Sequence, residues 1–226
     1  MTHKGDLATI VLASSSPRRR EIMGGVENSV EAVAPSAIEG PSRPGETAAE
    51  YVARLAREKA ASAGSHASGG VLLAADTTVA LGDRLFGKPR TREEARIMLN
   101  ALRGRTHSVL TGVSVRDLQT GQCVTEAKES VVEMRAYTAR EIDRYLSTGA
   151  PLDKAGAYGV QDRSFSPVKA VRGCYLNVVG LPLCTVVKLL EQIGATVKLR
   201  QPDRVPYLPS CVRCELDCRP YSRKEA

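Results

Sequence analysis

Residues 8–25 read ATIVLASSSPRRREIMGG, and this stretch decides the fold class. Ala8–Ala13 is short and continuously apolar, the signature of a central strand covered on both faces. Three serines follow, and Ser16-Pro17 places a hydroxyl N-cap before a proline at the first helical position. The spacing predicts a short helix through Met23, stopped by Gly24-Gly25. A buried strand passing through a polar turn into a capped helix is the building unit of an α/β protein. Outward from it, Thr47-Ala-Ala-Glu50, Thr91-Arg-Glu-Glu94 and Thr138-Ala-Arg-Glu141 are capping boxes that open three more helices. Their apolar faces carry Leu55 and Ala56, then Ala95, Met98, Leu99 and Leu102, then Ile142, Tyr145 and Leu146. They stop near Ala63, Gly104 and Gly149. A fifth helix is expected over Pro182–Gln192. Val71–Ala75 reads as a second central strand. Ser108–Arg116 and Gln122–Arg135 alternate as longer antiparallel strands joined around Leu118–Gly121. The chain is therefore expected to be α/β with a mixed sheet.

Composition narrows the function classes. The longest apolar stretches of the 226 residues, such as Val178–Leu183, fall far short of the roughly 20 residues a membrane helix needs. The opening residues show no apolar secretory segment, so a cytoplasmic location is expected. Net charge is +7, which suits phosphate-bearing partners. Aromatics are 4% with no tryptophan, too few for the stacking platforms of single-strand binders. No stable nucleic-acid partner is expected. From Arg200 onward prolines recur without helical period, and residues 200–226 read as an irregular tail behind a domain of residues 1–199. The tail holds Cys211, Cys214 and Cys218. Three thiols at that spacing could ligate zinc, but no fourth ligand is nearby, and an unliganded tail is the preferred reading.

Three stretches carry candidate chemistry. At Ser14–Arg20 a helix N-terminus offers free N–H groups, and Arg18 and Arg19 add bidentate donors. A solvated basic turn is the alternative, but cations in a first turn oppose the helix dipole, which favours an anionic partner. In Ala74-Ala-Asp-Thr-Thr-Val79, Asp76 is expected at the end of a central strand, where α/β sheets place ligands. It could hold a divalent metal or activate water, or simply cap a turn. Gly87-Lys88-Pro89 presents an ammonium on a rigid turn. In Pro151–Gln161, the small residues Ala155–Ala157 allow close backbone approach beside Asp153-Lys154, and Gln161 offers both a donor and an acceptor. His3, His66 and His107 have no metal or triad spacing. Neither Walker A nor GxGxxG is present, and no G-x-S-x-G accompanies the serines.

Taken together, the blocks LASSSPRRREIM, AADTTVALGDRLFGKP, LRGRTHSVLTGV, PLDKAGAYGVQ and GCYLNVVGLPL resemble the Maf family of nucleoside triphosphate pyrophosphatases, over roughly residues 7–195. The SPRR, ADT and DKAGAYG-Q versions are similar to its dTTP/UTP branch rather than the 7-methylguanosine triphosphate branch. The resemblance implies an elongated mixed sheet with flanking helices in two lobes around a cleft, like inosine triphosphate pyrophosphatases, and often a homodimer. It implies Asp76 as the catalytic carboxylate and Arg18, Thr77 and Gln161 as the residues of base preference. Ser14, Arg19, Lys59, Lys88 and Lys154 would bind the rest of the substrate. A Mg²⁺ or Mn²⁺ ion would be held by Asp76 and Glu39, where Gly40 replaces the second acid of the usual pair. The expected role is removal of non-standard pyrimidine nucleotides. The alternative is a non-catalytic nucleotide-binding regulator of cell division.

Overall fold

The computed structural model describes residues 7–36, 40–63 and 70–200, and the backbone of 221–222. One mixed sheet organises the chain. Its strands are β1 (Ile10–Ala13), β2 (Val30–Val33), β3 (Val71–Leu81), β4 (Arg84–Phe86), β5 (Thr106–Asp117), β6 (Cys123–Met134), β7 (Val168–Arg172) and β8 (Tyr221–Ser222). They lie in the order β2-β1-β3-β5-β6-β7-β8, with β4 hairpinned onto β3. β1 runs parallel to β2 and β3, and every other pairing is antiparallel. The helices are α1 (Pro17–Met23), α2 (Ala48–Ala63), α3 (Arg92–Leu102), α4 (Ala139–Ser147), α5 (Tyr175–Val179) and α6 (Leu183–Gln192). Two 3₁₀ turns, Ala150–Asp153 and Ala155–Ala157, connect α4 toward β7.

Strand alternation divides the core between the two faces. Ile10, Leu12, Leu73 and Ala75 face the larger cluster, with Met23 of α1, Leu99 of α3, Ile142 of α4, Leu176 of α5 and Val186 of α6. Each fully buried large side chain there contributes about 1.5–3 kcal/mol. Val11, Ala13, Leu72 and Ala74 face the other way, against Ala60 and Ala63 of α2. Small residues on that face let α2 lie close to the sheet. Gly112 of β5 completes the fit, because a Cβ there would sit 2.2 Å from the carbonyl oxygen of Val52.

Local chemistry explains most boundaries. Thr47 and Glu50 exchange backbone hydrogen bonds at the start of α2, as do Thr138 and Glu141 at α4. At α3 only half of the expected box forms. Thr91 accepts from the Glu94 amide, while the Glu94 carboxylate accepts from the amide of Arg90 instead. Ser16 is the N-cap of α1, but its hydroxyl makes no capping bond. The hydroxyl of Ser14 accepts from the Ser16 amide in its place, at 3.2 Å.

Two expectations about extent need correction, and one helix is new. β3 does not end near Ala75 but continues to Leu81, because β-branched Thr77, Thr78 and Val79 keep pairing with β5 through Ala80. Asp76 is thus a mid-strand residue. The segment Tyr175–Val179 forms a helix that the apolar run did not announce. The tail is not wholly irregular, since Tyr221 and Ser222 pair antiparallel with Val171 and Ala170 as an edge strand. Cys211, Cys214 and Cys218 lie outside the described residues, as do Glu39, His3 and His66.

Candidate active site

β1 shares its last rung with β3 at Ala13–Ala74 and then turns away into the serines. From Ala75 to Thr78 β3 is paired on the β5 side and open on the other, until β4 takes up that edge at Val79. The exposed flank becomes one wall of a cavity of about 240 Å³. α1 supplies Arg18 and Arg19, α2 supplies Lys59, and the β4 exit supplies Gly87 and Lys88. The stretch through and just beyond the 3₁₀ turns supplies Asp153, Lys154, Tyr158 and Gln161, and the α5 exit supplies Val178–Gly180.

Alternation now separates two neighbouring residues. Asp76 points to the α2 side, where it is 5% exposed and ion-paired with Lys59, itself 8% exposed. The close seat of α2 over Gly112, the register partner of Asp76, carries Lys59 to that carboxylate. Thr77 points to the opposite side. Its Oγ1 accepts from Nη2 of Arg19 at 3.1 Å and lies 3.0 Å from Oγ1 of Thr111. Arg19 also donates through Nε to the carbonyl of Gly180 at 2.9 Å, tying α1 to the α5 exit.

Arg18 reaches across the mouth of the cavity to Asp153, at 2.8 Å to the carboxylate and 3.0 Å to its carbonyl. Lys154 donates to the same carboxylate at 2.6 Å and to the carbonyl of Ala150. Burial pushes the Asp153 carboxyl up, but hydrogen bonds from Lys154 and Arg18 hold it below the usual carboxylate range. Behind this segment, Gly156 has φ of 66°, and its backbone packs on Val79 so closely that a Cβ would meet Cγ2 at 2.9 Å. The small residues serve the close approach expected of them. Ala157, at φ 63°, holds a left-handed conformation that costs a non-glycine residue about 1–2 kcal/mol.

Eight of the expected site residues therefore meet at the cavity: Asp76, Arg18, Arg19, Lys59, Thr77, Lys88, Lys154 and Gln161. Ser14 does not line it. That side chain is buried behind the wall, 3.5 Å from Nη1 of Arg19. Asp153, read in the sequence beside Lys154 without a role of its own, also lines the cavity, as do Tyr158 and Gly180, which the sequence does not single out. Tyr158 is buried and held by Nε2 of His107 at 2.7 Å. Burial pulls the His107 imidazole down to about 4, so this partner is neutral at physiological pH. The glycine between two apolar runs in YLNVVGLPL was the available signal for the α5 exit.

Five cationic side chains against two carboxylates make the cavity electropositive, as a polyphosphate requires. A divalent cation also finds suitable oxygen donors here. Among the described residues no three His, Cys, Asp or Glu side chains gather into a site of their own. Mg²⁺ is commonly held by one or two carboxylates together with substrate phosphates and water, and buried Asp76 within this cation-lined cavity fits that mode.

Residues 9–193 match the family described as Maf-like protein. The chain is similar to a dTTP/UTP pyrophosphatase of Myxococcus xanthus, 46% identical over 195 residues that cover 86% of this chain and 97% of that protein. One from Anaeromyxobacter dehalogenans is 45% identical, covering 85% of this chain and 98% of its own length. One from Dehalococcoides mccartyi is 41% identical, covering 86% and 87%. No helix among the described residues is long and apolar enough to cross a membrane. With a match across most of its length and relatives this similar, the chain belongs to the Maf family.

Proposed function

We propose that the protein hydrolyses dTTP, UTP and modified pyrimidine nucleoside triphosphates to the monophosphate and pyrophosphate. The observation that carries this reading is the buried Asp76 carboxylate inside a cavity ringed by Arg18, Arg19, Lys59, Lys88 and Lys154. The named relatives support the substrate class.

Asp76 accepts the proton of a water that attacks the α-phosphorus, and the α–β phosphoanhydride bond breaks as pyrophosphate leaves. Lys59 fixes the orientation of that carboxylate through their ion pair. Lys88 and Lys154 neutralise charge that builds on the departing oxygens, the larger part of such catalysis in a site arranged in advance. Asp76 would hold the divalent ion, Mg²⁺ or Mn²⁺, with Glu39 as its proposed second ligand, and the ion supplies neutralisation of the triphosphate. Arg18, Thr77 and Gln161 would read the base, and consumption of non-standard pyrimidine nucleotides is the proposed role.

Pyrophosphate release from a panel of natural and modified triphosphates, with Mg²⁺ or Mn²⁺, tests the proposal. dTTP and UTP are expected to be hydrolysed at least tenfold more efficiently than CTP. Nucleotide binding without any pyrophosphate release would reject it.

A further inference from the structure

Each threonine hydroxyl has one proton to give. Thr111 is fully buried, with its Oγ1 3.0 Å from the carbonyl oxygen of Asn177, which can only accept. Its proton therefore goes to that carbonyl; otherwise two lone-pair oxygens would face each other at hydrogen-bond distance. The 3.0 Å contact between Thr111 and Thr77 must then be made by the proton of Thr77. The carbonyl of Gly180, 3.5 Å from Thr77, is a poorer destination and would leave no proton between the two threonines. Arg19, a donor only, meets Thr77 on a lone pair. With its proton turned inward, Thr77 presents to the cavity nothing but an acceptor.

We propose that Thr111 is a specificity-determining positioning residue: by fixing the Thr77 hydroxyl as an acceptor, it makes the cavity select a pyrimidine that carries an N3–H. The inference rests on the nucleotide reading above and adds the source of its selectivity. Phosphate oxygens also only accept, so Thr77 cannot serve the triphosphate and belongs to the base. Uracil and thymine bring a proton at N3, whereas cytosine brings a lone pair that this oxygen repels. The chain of bonds is anchored deeply. The side-chain amide of Asn177, fully buried, donates to the carbonyl of Val109 at 2.9 Å and to Oγ of Ser130 at 3.0 Å. Those bonds hold the carbonyl that receives the Thr111 proton.

The test compares kcat/KM for UTP and CTP in the wild type, Thr111→Val and Thr111→Ser. Thr111→Val frees the Thr77 proton to meet cytosine N3, and the UTP-to-CTP ratio is expected to fall about tenfold, the worth of one misdirected hydrogen bond. Thr111→Ser keeps a hydroxyl and is expected to restore the ratio. A merely structural role lowers both substrates alike. An unchanged ratio in Thr111→Val, with the wild type still preferring UTP, overturns the inference and leaves the pyrophosphatase reading intact. Absence of UTP turnover in the wild type overturns that reading instead. A second measurement needs no variant: UTP methylated at N3 has no proton for Thr77, and its turnover by the wild type at the rate of UTP would also overturn the inference.

Discussion

Two residues past the last rung that β1 shares with β3, Asp76 has lost its neighbour strand and gained a cavity. A carboxylate buried to that degree is tolerated because Lys59 is buried beside it, and removing one partner of such a pair typically costs about 3–5 kcal/mol. Asp76→Asn is a gentler change, since the amide oxygen still accepts from Lys59. We expect it to fold and to bind nucleotide, while turnover falls about 10²–10⁴-fold, the usual loss on removing a general base. Isothermal binding measured beside steady-state kinetics checks both halves. Near-native turnover would move the base elsewhere, with Glu39 the next carboxylate to try.

At the scale of elements, the approach of α2 to the sheet is set by one missing side chain. Gly112→Ala puts a Cβ 2.2 Å from the Val52 carbonyl oxygen and 2.7 Å from the Ala53 amide nitrogen, and backbone cannot step aside as a flexible side chain does. Overpacking of this kind costs about 1–3 kcal/mol, so the variant should show a lower denaturation midpoint. Because α2 carries Lys59 to Asp76, kcat should fall as well. A variant of unchanged midpoint would mean that α2 has slack here. The same scale shows what was legible beforehand. Thr47–Glu50 and Thr138–Glu141 announce their helices because capping is settled within four residues. The extent of β3 was hidden because Asp76 and Thr77 are polar for the sake of a cavity, and polarity in mid-strand looks like its end. Asn177 sits in the apolar run YLNVV, and only the packing of α5 on β5 and β6 reveals why. The partners of Arg19 were equally out of reach, since they come from residues as distant in sequence as Gly180.

For the molecule as a whole, every described residue that lines the cavity is in place by Gly180. The chain then returns to its beginning: the Arg200 amide donates to the carbonyl of Gly25, and Leu199 bridges Val26. Removal of residues 201–226 spares those bonds and takes away only the short pairing of β8 with β7 among the described contacts. We expect the truncated protein to keep kcat/KM within a few-fold of the full chain. A larger loss, or stoichiometric zinc in the full chain, would give the Cys211–Cys218 segment a structural part.

Consecutive positions of one strand present a carboxylate to one side of the sheet and a hydroxyl to the other. Sliding β3 by a single residue would exchange them, because every side chain of a strand changes face with each step. Under the proposed roles, the acid would then confront the base and the hydroxyl the phosphates, and both rate and choice should suffer. The long ladder from Val71–Asp117 to Ala80–Ser108 thus acts as a phase lock. On the proposed reading, changes at Asp76 and Lys59 should act on rate, and changes at Thr77 and Thr111 should act on choice of base. Insertions or deletions within β3 should act on both.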